Sequence, residues 1–277
     1  MIIDGRKIGQ RIIRQAQDKL SQTERPLRLA AVLVGPSTSS GQALKKFIEL
    51  KKKAAEEIGV EFRAYEFPEN ISNNQLREEL NKIVKVKTTH GVIIELPLPS
   101  HLNTQYLLNT IPEEKDVDVL SEKSQGKFFT RLDSAKRAGR SKILPPSVET
   151  VKQIFEEYNV ELKGKTAAVF GYGLLVGKQV SHWLVNQGAT VSIITEFTKE
   201  PEKISKEADI IISGVGKPGL ITPNMIKEGA TVIDFGRDVD FEEVSKKAGL
   251  ITPPTGGVGP IVVAAVLKNL VDLQNGQ

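Results

Sequence analysis

Short apolar runs and helix-like patterns alternate along almost the whole chain. The runs Arg28–Val34, Thr166–Phe170 and Ile210–Gly214 are apolar except near one end, which is typical of strands buried on both faces. Between such runs lie longer stretches, as at residues 7–21, in which apolar residues recur every three or four positions. This alternation predicts an α/β fold with mostly parallel sheets.

The same patterns place the remaining elements and divide the chain. We predict helices over residues 7–21, 42–58, 73–84, 148–158, 176–187 and 261–273, and further strands over Glu61–Phe67, Gly91–Leu96, Thr190–Thr195 and Thr231–Phe235. Residues 121–142 contain two glycines and a basic cluster, so we predict a loop and a domain boundary there. We expect an N-terminal domain over 1–142, with the helix at 261–277 packing back on it, and a second domain over 143–260.

Composition excludes several classes of function. The chain of 277 residues has 38 basic and 34 acidic residues, a balance that suits anionic small ligands but not nucleic acid. No apolar run is long enough for a membrane span, and no signal peptide is visible. Cysteine is absent, which fits a cytoplasmic protein and excludes thiolate chemistry. The three histidines are scattered, so we expect no metal site.

A glycine-rich turn follows the strand Thr166–Phe170 and precedes a predicted helix. Gly171, Tyr172, Gly173, Val176 and Gly177 give the spacing G-x-G-x-x-x-G, one residue longer than the usual dinucleotide fingerprint. A dinucleotide needs glycines here for the tight turn and for close approach of the pyrophosphate to the helix N-terminus. The turn predicts a nucleotide site, although a plain strand-to-helix turn explains the glycines equally well.

The next strand ends at Thr195 and Glu196, about where nucleotide-binding folds carry an acidic residue that contacts the adenosine ribose. A carboxylate at Glu196 would repel a 2′-phosphate and so favour NAD over NADP. The alternative is a solvated charge at the end of a strand.

Several segments, in a fixed order, resemble the methylenetetrahydrofolate dehydrogenase/cyclohydrolase (FolD) family over nearly the whole chain. They are Lys51–Gly59, Glu95–Pro99, Pro112–Asp118, Val176–Lys178, Val215–Gly219, Val232–Gly236 and Ile251–Pro260. The resemblance implies an N-terminal folate-binding domain, a C-terminal Rossmann domain with a cleft between them, and a homodimer. It also implies oxidation of 5,10-methylenetetrahydrofolate with NAD or NADP, followed by hydrolysis of the methenyl form to 10-formyltetrahydrofolate.

The resemblance assigns roles to individual positions. Lys51 matches the family's essential lysine, although alone it would read as one of three solvated lysines. Asp118 matches the carboxylate that grips the pterin ring, while its neighbour Asp116 is expected to be structural. Further contacts implied for the substrate are Phe47, Leu96, Pro97, Gly259, Pro260 and Val262, and those implied for the cofactor include Gly214 and Val215.

Three departures from the family concern the expected surroundings of Lys51. Phe47 replaces a tyrosine, which keeps a stacking face and loses a hydroxyl, and the segment 36–46 is about four residues longer than expected. Glu95 replaces a glutamine, and a carboxylate would hold Lys51 as an ammonium ion, which opposes general-base work. We expect a Lys51–Glu95 ion pair and impaired hydrolysis. The alternative is that Glu95 is itself the base.

Other departures affect the cofactor and substrate positions. Tyr172-Gly173 replaces an Arg-Ser pair and Thr195-Glu196 replaces a His-Ser pair, and both changes remove groups suited to a 2′-phosphate. Arg237 replaces an apolar residue and would either reach a cofactor phosphate or project into solvent. Val262 replaces a threonine. The basic residues of 131–142 would suit the acidic tail of folates, but a solvated loop is the simpler interpretation.

These substitutions leave three hypotheses. The first is a nicotinamide-dependent methylenetetrahydrofolate dehydrogenase with impaired cyclohydrolase activity, with Lys51, Glu95 and Asp118 as catalytic residues. The second is a paralogue that binds folate or dinucleotide without turnover. The third is a Rossmann oxidoreductase that acts on another small anion, which the retained Lys51 and Asp118 disfavour.

Overall fold

The structure is a computed structural model that describes residues 1–21, 26–35, 39–132 and 143–274. Its helices are α1 (Gly5–Leu20), α2 (Ser39–Glu57), α3 (Asn73–Lys85), α4 (Thr104–Leu108), α5 (Glu122–Leu132), α6 (Pro146–Glu157), α7 (Gly177–Asn186), α8 (Pro201–Ser205), α9 (Phe241–Val244) and α10 (Val258–Gln274). Its strands are β1 (Arg28–Val34), β2 (Glu61–Phe67), β3 (Gly91–Ile94), β4 (Thr166–Phe170), β5 (Thr190–Ile194), β6 (Ile210–Ser213), β7 (Thr231–Asp234) and β8 (Leu250–Ile251). This confirms the predicted α/β class.

The chain forms two compact units. One comprises residues 11–145 and 263–277, and the other residues 1–10 and 146–262. The first ten residues, which the sequence prediction placed in the N-terminal domain, therefore group with the second unit. Ile2 bridges Ile251 in parallel, and the Ile3 N–H donates to the Ile251 carbonyl at 2.8 Å, so the N-terminal segment extends β8.

In the unit containing residues 11–145, the described strands form a parallel sheet in the order β2–β1–β3. β1 is its centre and is buried from Leu29 to Val34. The C-terminal helix α10 packs on this unit as predicted: the Asn269 amide donates to the carbonyls of Val117 and Leu144, each at 2.8 Å.

In the unit containing residues 146–262, the described strands form a parallel sheet in the order β5–β4–β6–β7–β8. Its chain order reverses between β4 and β6, which is the arrangement of a doubly wound nucleotide-binding sheet. Phe170, Ile211, Val232 and Ile251 from four adjacent strands share one buried apolar cluster. The carboxyl ends of β4, β5, β6 and β7 therefore lie along a single edge.

One prediction about local structure was wrong. Residues 122–132 form helix α5 and not part of a loop, because Phe128 is fully buried and the Ser121 hydroxyl accepts the Ser124 N–H at 3.3 Å. Gly126 lies in open space within this helix, so it marks no turn. The rest of the predicted boundary loop, residues 133–142, lies outside the described residues, as does part of the segment 36–46.

Candidate active site

Lys51 is the only member of its lysine run that faces the interior. Helix α2 carries Ile48, Lys51 and Ala55 at spacings of three and four, so they share one face, and all three are buried, whereas Lys52 and Lys53 are exposed. The Lys51 ammonium also lies 5.3 Å from the centre of the Phe47 ring one turn earlier. A lysine in an apolar stripe needs a partner to offset its desolvation.

Glu95 is that partner. It directly follows the buried strand β3 and continues the ladder, since its N–H donates to the Val32 carbonyl at 2.9 Å. Its carboxylate forms a buried ion pair with the Lys51 ammonium, and each side chain is 7% exposed. The predicted pair is present. Leu96 and Pro97, also predicted contacts, directly follow Glu95. Leu96 has intermediate exposure and Pro97 is exposed.

Asp118 lies close enough to Lys51 and Glu95 to interact with both electrostatically. Burial raises the pKa of the Asp118 carboxyl to about 7, the Lys51 charge opposes the rise, and the carboxylates of Glu95 and Asp116 add to it. The residue as a whole keeps some exposed surface, so the burial concerns the carboxyl group. Among the described residues, none donates a hydrogen bond to this carboxyl.

Asp116 has the structural role that we expected. It is buried, and its carboxylate accepts the N–H groups of Leu120 and Ser121, the latter at 2.8 Å. Together with Asn269, which holds the Val117 carbonyl at 2.8 Å, Asp116 fixes the backbone on both sides of Asp118. Sequence reasoning missed Asn269, and a single asparagine in an apolar helix was the only signal available.

The glycine-rich turn after β4 is packed as a nucleotide-binding turn requires. Gly171 has a φ of 85°, and a Cβ on Gly177 would lie 2.1 Å from the Gly171 carbonyl oxygen. A Cβ on Gly214, after β6, would meet the Val176 side chain at 3.0 Å, whereas Gly173 faces open space. Gly177 therefore allows two backbone segments to approach, Gly214 leaves space for the Val176 side chain, and Gly173 leaves room beside the turn.

Helix α7 begins at Gly177 without a side-chain cap, and the Lys178 N–H donates to the Gly173 carbonyl at 3.1 Å. The positive end of the helix dipole lies at this terminus and attracts an anion. Beside it, Tyr172 is half exposed and the Lys178 ammonium lies 5.7 Å from the Tyr172 ring centre. The uncapped helix, the open space at Gly173 and the close backbone approach fit the pyrophosphate of a dinucleotide.

The other predicted cofactor positions follow the neighbouring strands at the same edge. Thr195 and Glu196 follow β5 in a turn closed by the Thr198 N–H on the Thr195 carbonyl, and Glu196 is exposed. Val215 follows β6 and is 47% exposed. Arg237 follows β7, is exposed, and has a left-handed φ of 59°. No described contact ties Arg237 to another side chain.

The structure thus groups the predicted residues in two sets. Lys51, Glu95, Asp118 and Phe47 come together in one unit, and the nucleotide positions line one edge of the sheet in the other. The predicted substrate contacts Gly259, Pro260 and Val262 begin helix α10 and belong to the second unit. Sequence reasoning missed Asp238, which is fully buried beside this edge.

Among the described residues, no group of His, Asp and Glu side chains has the arrangement of a metal site, and no helix is long and apolar enough to cross a bilayer.

Comparisons with known proteins match both units. A family model described as tetrahydrofolate dehydrogenase/cyclohydrolase, catalytic domain, matches residues 3–118, and a second, described as the NAD(P)-binding domain of the same enzymes, matches residues 145–277. The chain is 38% identical to a "Bifunctional protein FolD" from Nautilia profundicola over 98% of this chain and 95% of the relative.

Solved structures of FolD enzymes have a fold similar to that of this chain. A FolD methylenetetrahydrofolate dehydrogenase/cyclohydrolase from Campylobacter jejuni superposes with a TM-score of 0.87 at 33% identity, covering 100% of this chain and 99% of the other. The Trypanosoma brucei enzyme, solved with NADP and an inhibitor, gives a TM-score of 0.89 at 29% identity, covering 100% and 98%.

Proposed function

Because the chain belongs to the tetrahydrofolate dehydrogenase/cyclohydrolase family, we propose that it oxidises 5,10-methylenetetrahydrofolate with a nicotinamide dinucleotide and hydrolyses the methenyl product only slowly. The family, enzyme class and main function predicted from the sequence are confirmed at the level of the family. The comparisons give no support to the non-catalytic alternative. The observation that carries the slow hydrolysis is the buried Lys51–Glu95 ion pair.

The folate ligand binds at Asp118. In its ionised form, this carboxylate accepts two parallel N–H bonds from the amidine edge of a pterin, a strong and directional interaction. None of the described residues competes for the carboxyl. Phe47 offers a ring face beside Lys51 on which the ligand can stack.

Oxidation suits the charge of this cluster. Lys51, Glu95 and Asp118 carry one positive and two negative charges when all three are ionised, and removal of a hydride leaves a positive charge on the folate. Negative charge fixed near the reacting carbon stabilises that change. When bound, the nicotinamide supplies the hydride acceptor; the uncapped start of α7 and the glycine turn hold its pyrophosphate.

Hydrolysis requires a base that takes a proton from water attacking the methenyl carbon. The Lys51 ammonium is engaged in its buried ion pair with Glu95, and in that pair it cannot accept the proton. Lys52 and Lys53 are exposed on other faces of α2 and do not replace it. We therefore expect the dehydrogenase step to be faster than the hydrolytic step.

NAD is the preferred cofactor in this proposal. Glu196 is an exposed carboxylate just beyond β5 and repels a 2′-phosphate. Replacing Glu196 with serine should improve the use of NADP relative to NAD by about tenfold. Glu207→Ser, an exposed change elsewhere in the same unit, is the control. A wild-type enzyme that uses NADP better than NAD would contradict this assignment.

The chain is proposed to act as a homodimer in the cytoplasm. Strand β5 is an edge strand, and three apolar residues on or near it are exposed: Val185 (57%), Ile193 (39%) and Phe197 (86%). An apolar edge of this kind is a common place for pairing between chains. Sedimentation equilibrium should give the mass of two chains, and Phe197→Asp should shift the equilibrium towards one.

A turnover assay tests the main proposal. Methylenetetrahydrofolate with each nicotinamide should give methenyl formation that is faster than methenyl decay, with the two followed at their own absorbances. Equal rates would contradict impaired hydrolysis. Binding of folate in calorimetry without conversion by either cofactor would favour the non-catalytic alternative.

A further inference from the structure

Asp238 is a fully buried carboxylate that ties two loops together. It lies after β7, and its oxygens accept the Ser213 hydroxyl at 2.5 Å, the Val215 N–H at 2.8 Å and the Lys217 N–H at 2.5 Å. All three donors belong to the end of β6 and the segment that follows it. Asp238 therefore determines the path of the chain from Gly214 to Lys217.

A second carboxylate fixes Asp238 itself. Asp234, the last residue of β7, accepts the N–H groups of Gly236, Asp238 and Val239 at 2.8, 3.1 and 3.0 Å. Desolvation raises the pKa of Asp234, and these N–H groups oppose the rise. A Cβ on Gly236 would lie 2.3 Å from an Asp238 oxygen, so only glycine allows this packing.

The charge of Asp238 has no cationic partner among the described ion pairs. Both of its oxygens accept hydrogen bonds from neutral donors, three in all. A buried negative charge that is held by dipoles and not by a counter-ion exerts a field on its surroundings, because little water screens it.

The position of Asp238 in the sheet indicates which part of the dinucleotide it can influence. In a doubly wound sheet the two halves of a dinucleotide bind on either side of the point where strand order reverses, here between β4 and β6. Glu196 follows β5 on the side proposed for the adenosine half. The nicotinamide half would then bind at the ends of β6 and β7, where Asp238 holds the Gly214–Lys217 segment.

We propose that Asp238 is a positioning residue for the nicotinamide half of the cofactor and that its charge makes the site favour the oxidised over the reduced form. The inference rests on the proposed function. The oxidised nicotinamide ring is cationic and the reduced ring is neutral, so a fixed carboxylate attracts only the former. Such a site favours release of the reduced cofactor and so supports the oxidative direction.

Calorimetry with NAD⁺ and NADH tests the proposal without turnover. Wild-type protein should bind NAD⁺ at least as tightly as NADH, and Asp238→Asn should weaken NAD⁺ relative to NADH by about tenfold. Asp209→Asn is the control: its carboxylate accepts the Thr166 N–H at 3.0 Å at the opposite, amino-terminal edge of the same sheet. A hydrogen bond from Lys227 lowers the pKa of Asp209 to about 2, so it too is a charge, and its loss should leave the ratio unchanged.

Ser213→Ala separates the charge from the hydrogen bonds. It removes one donor and keeps the carboxylate, so it should change both affinities by the same factor. Equal weakening of NAD⁺ and NADH by Asp238→Asn would overturn the charge effect. If Asp238→Asn does not fold, wild-type protein that binds NADH ten times more tightly than NAD⁺ would also overturn it. Wild-type protein that binds neither nucleotide would instead refute the proposed function.

Discussion

Asp118 and Asp238 are both buried carboxylates, and the two units use them in opposite ways. Asp238 accepts three hydrogen bonds from its own unit, one from the Ser213 hydroxyl and two from backbone N–H groups. Asp118 accepts none from the described residues, and burial raises its pKa to about 7. The hydrogen-bonding capacity of Asp238 is used within the fold, whereas that of Asp118 is, in our proposal, used to bind the ligand.

The difference separates a framework from a reactive cluster. In the nucleotide-binding unit, glycines and satisfied carboxylates fix the backbone before any ligand arrives. In the folate-binding unit, a lysine and two carboxylates are buried together in an apolar setting, which costs stability but tunes charge for chemistry. Mutations should therefore affect stability and ligand binding differently in the two units.

The largest effect is expected at Lys51. Lys51→Met leaves Glu95 and Asp118 buried without a cation, so the free energy of unfolding should fall by about 3 kcal/mol. Urea unfolding followed by circular dichroism measures this change. Lys52→Met, at an exposed neighbour, should have little effect, and adding Glu95→Gln to Lys51→Met should restore part of the loss. Unchanged stability of Lys51→Met would mean that the three charges are not coupled.

Gly177→Ala should disturb the framework instead. Its Cβ would lie 2.1 Å from the Gly171 carbonyl oxygen, and relief of that overlap should cost about 2 kcal/mol of unfolding free energy and weaken dinucleotide binding. Gly173→Ala should keep the wild-type unfolding free energy, since no atom lies within 4 Å of the added methyl. Similar unfolding of the two variants would show that the turn tolerates a side chain at Gly177.

Asp118 should make stability depend on pH. Its folded pKa of about 7 lies above the ordinary aspartate pKa of 3.8, so the folded state binds the proton more tightly between these values. Stability should therefore fall as pH rises, by about 2 kcal/mol between pH 5 and 7. Asp118→Asn should remove that part of the slope. A wild-type profile parallel to that of Asp118→Asn would mean that the carboxyl titrates normally.

The smallest effect is expected at Glu95. Glu95→Gln frees Lys51 from its ion pair and should speed methenyl hydrolysis by about tenfold, measured as faster decay of methenyl absorbance. Glu57→Gln, an exposed change on the same helix, is the control. Slower hydrolysis in Glu95→Gln would support the alternative in which Glu95 is the base.

The sequence predicted several strands well because short runs rich in apolar and aromatic residues have few alternatives. Arg28–Val34, Glu61–Phe67 and Thr166–Phe170 match the observed strands residue for residue. Helix α5 was missed because glycine and basic residues suggested a loop, whereas one buried phenylalanine and a serine cap favour the helix. The short helices α4, α8 and α9 have too few residues to show a period.

The site was predictable to different depths. The Lys51–Glu95 pair followed from the family register and from the charge of Glu95. The roles of Asp238 and Asn269 could not be predicted, because they depend on which strands or helices become neighbours. The donors to Asp238 lie at Ser213–Lys217. The carbonyls that accept from Asn269 belong to Val117 and Leu144. Neither relation leaves a periodic or local trace.

The extension of β8 by residues 1–3 also constrains how the protein can be divided. The first unit needs residues 263–277, and the second needs residues 1–10, so a cut near residue 145 leaves neither half with its full set of strands and helices. During synthesis the first residues must wait until Ile251 has been made, about 250 residues and tens of seconds later. Neither unit can therefore complete its folding until the ribosome has synthesised the chain beyond Ile251.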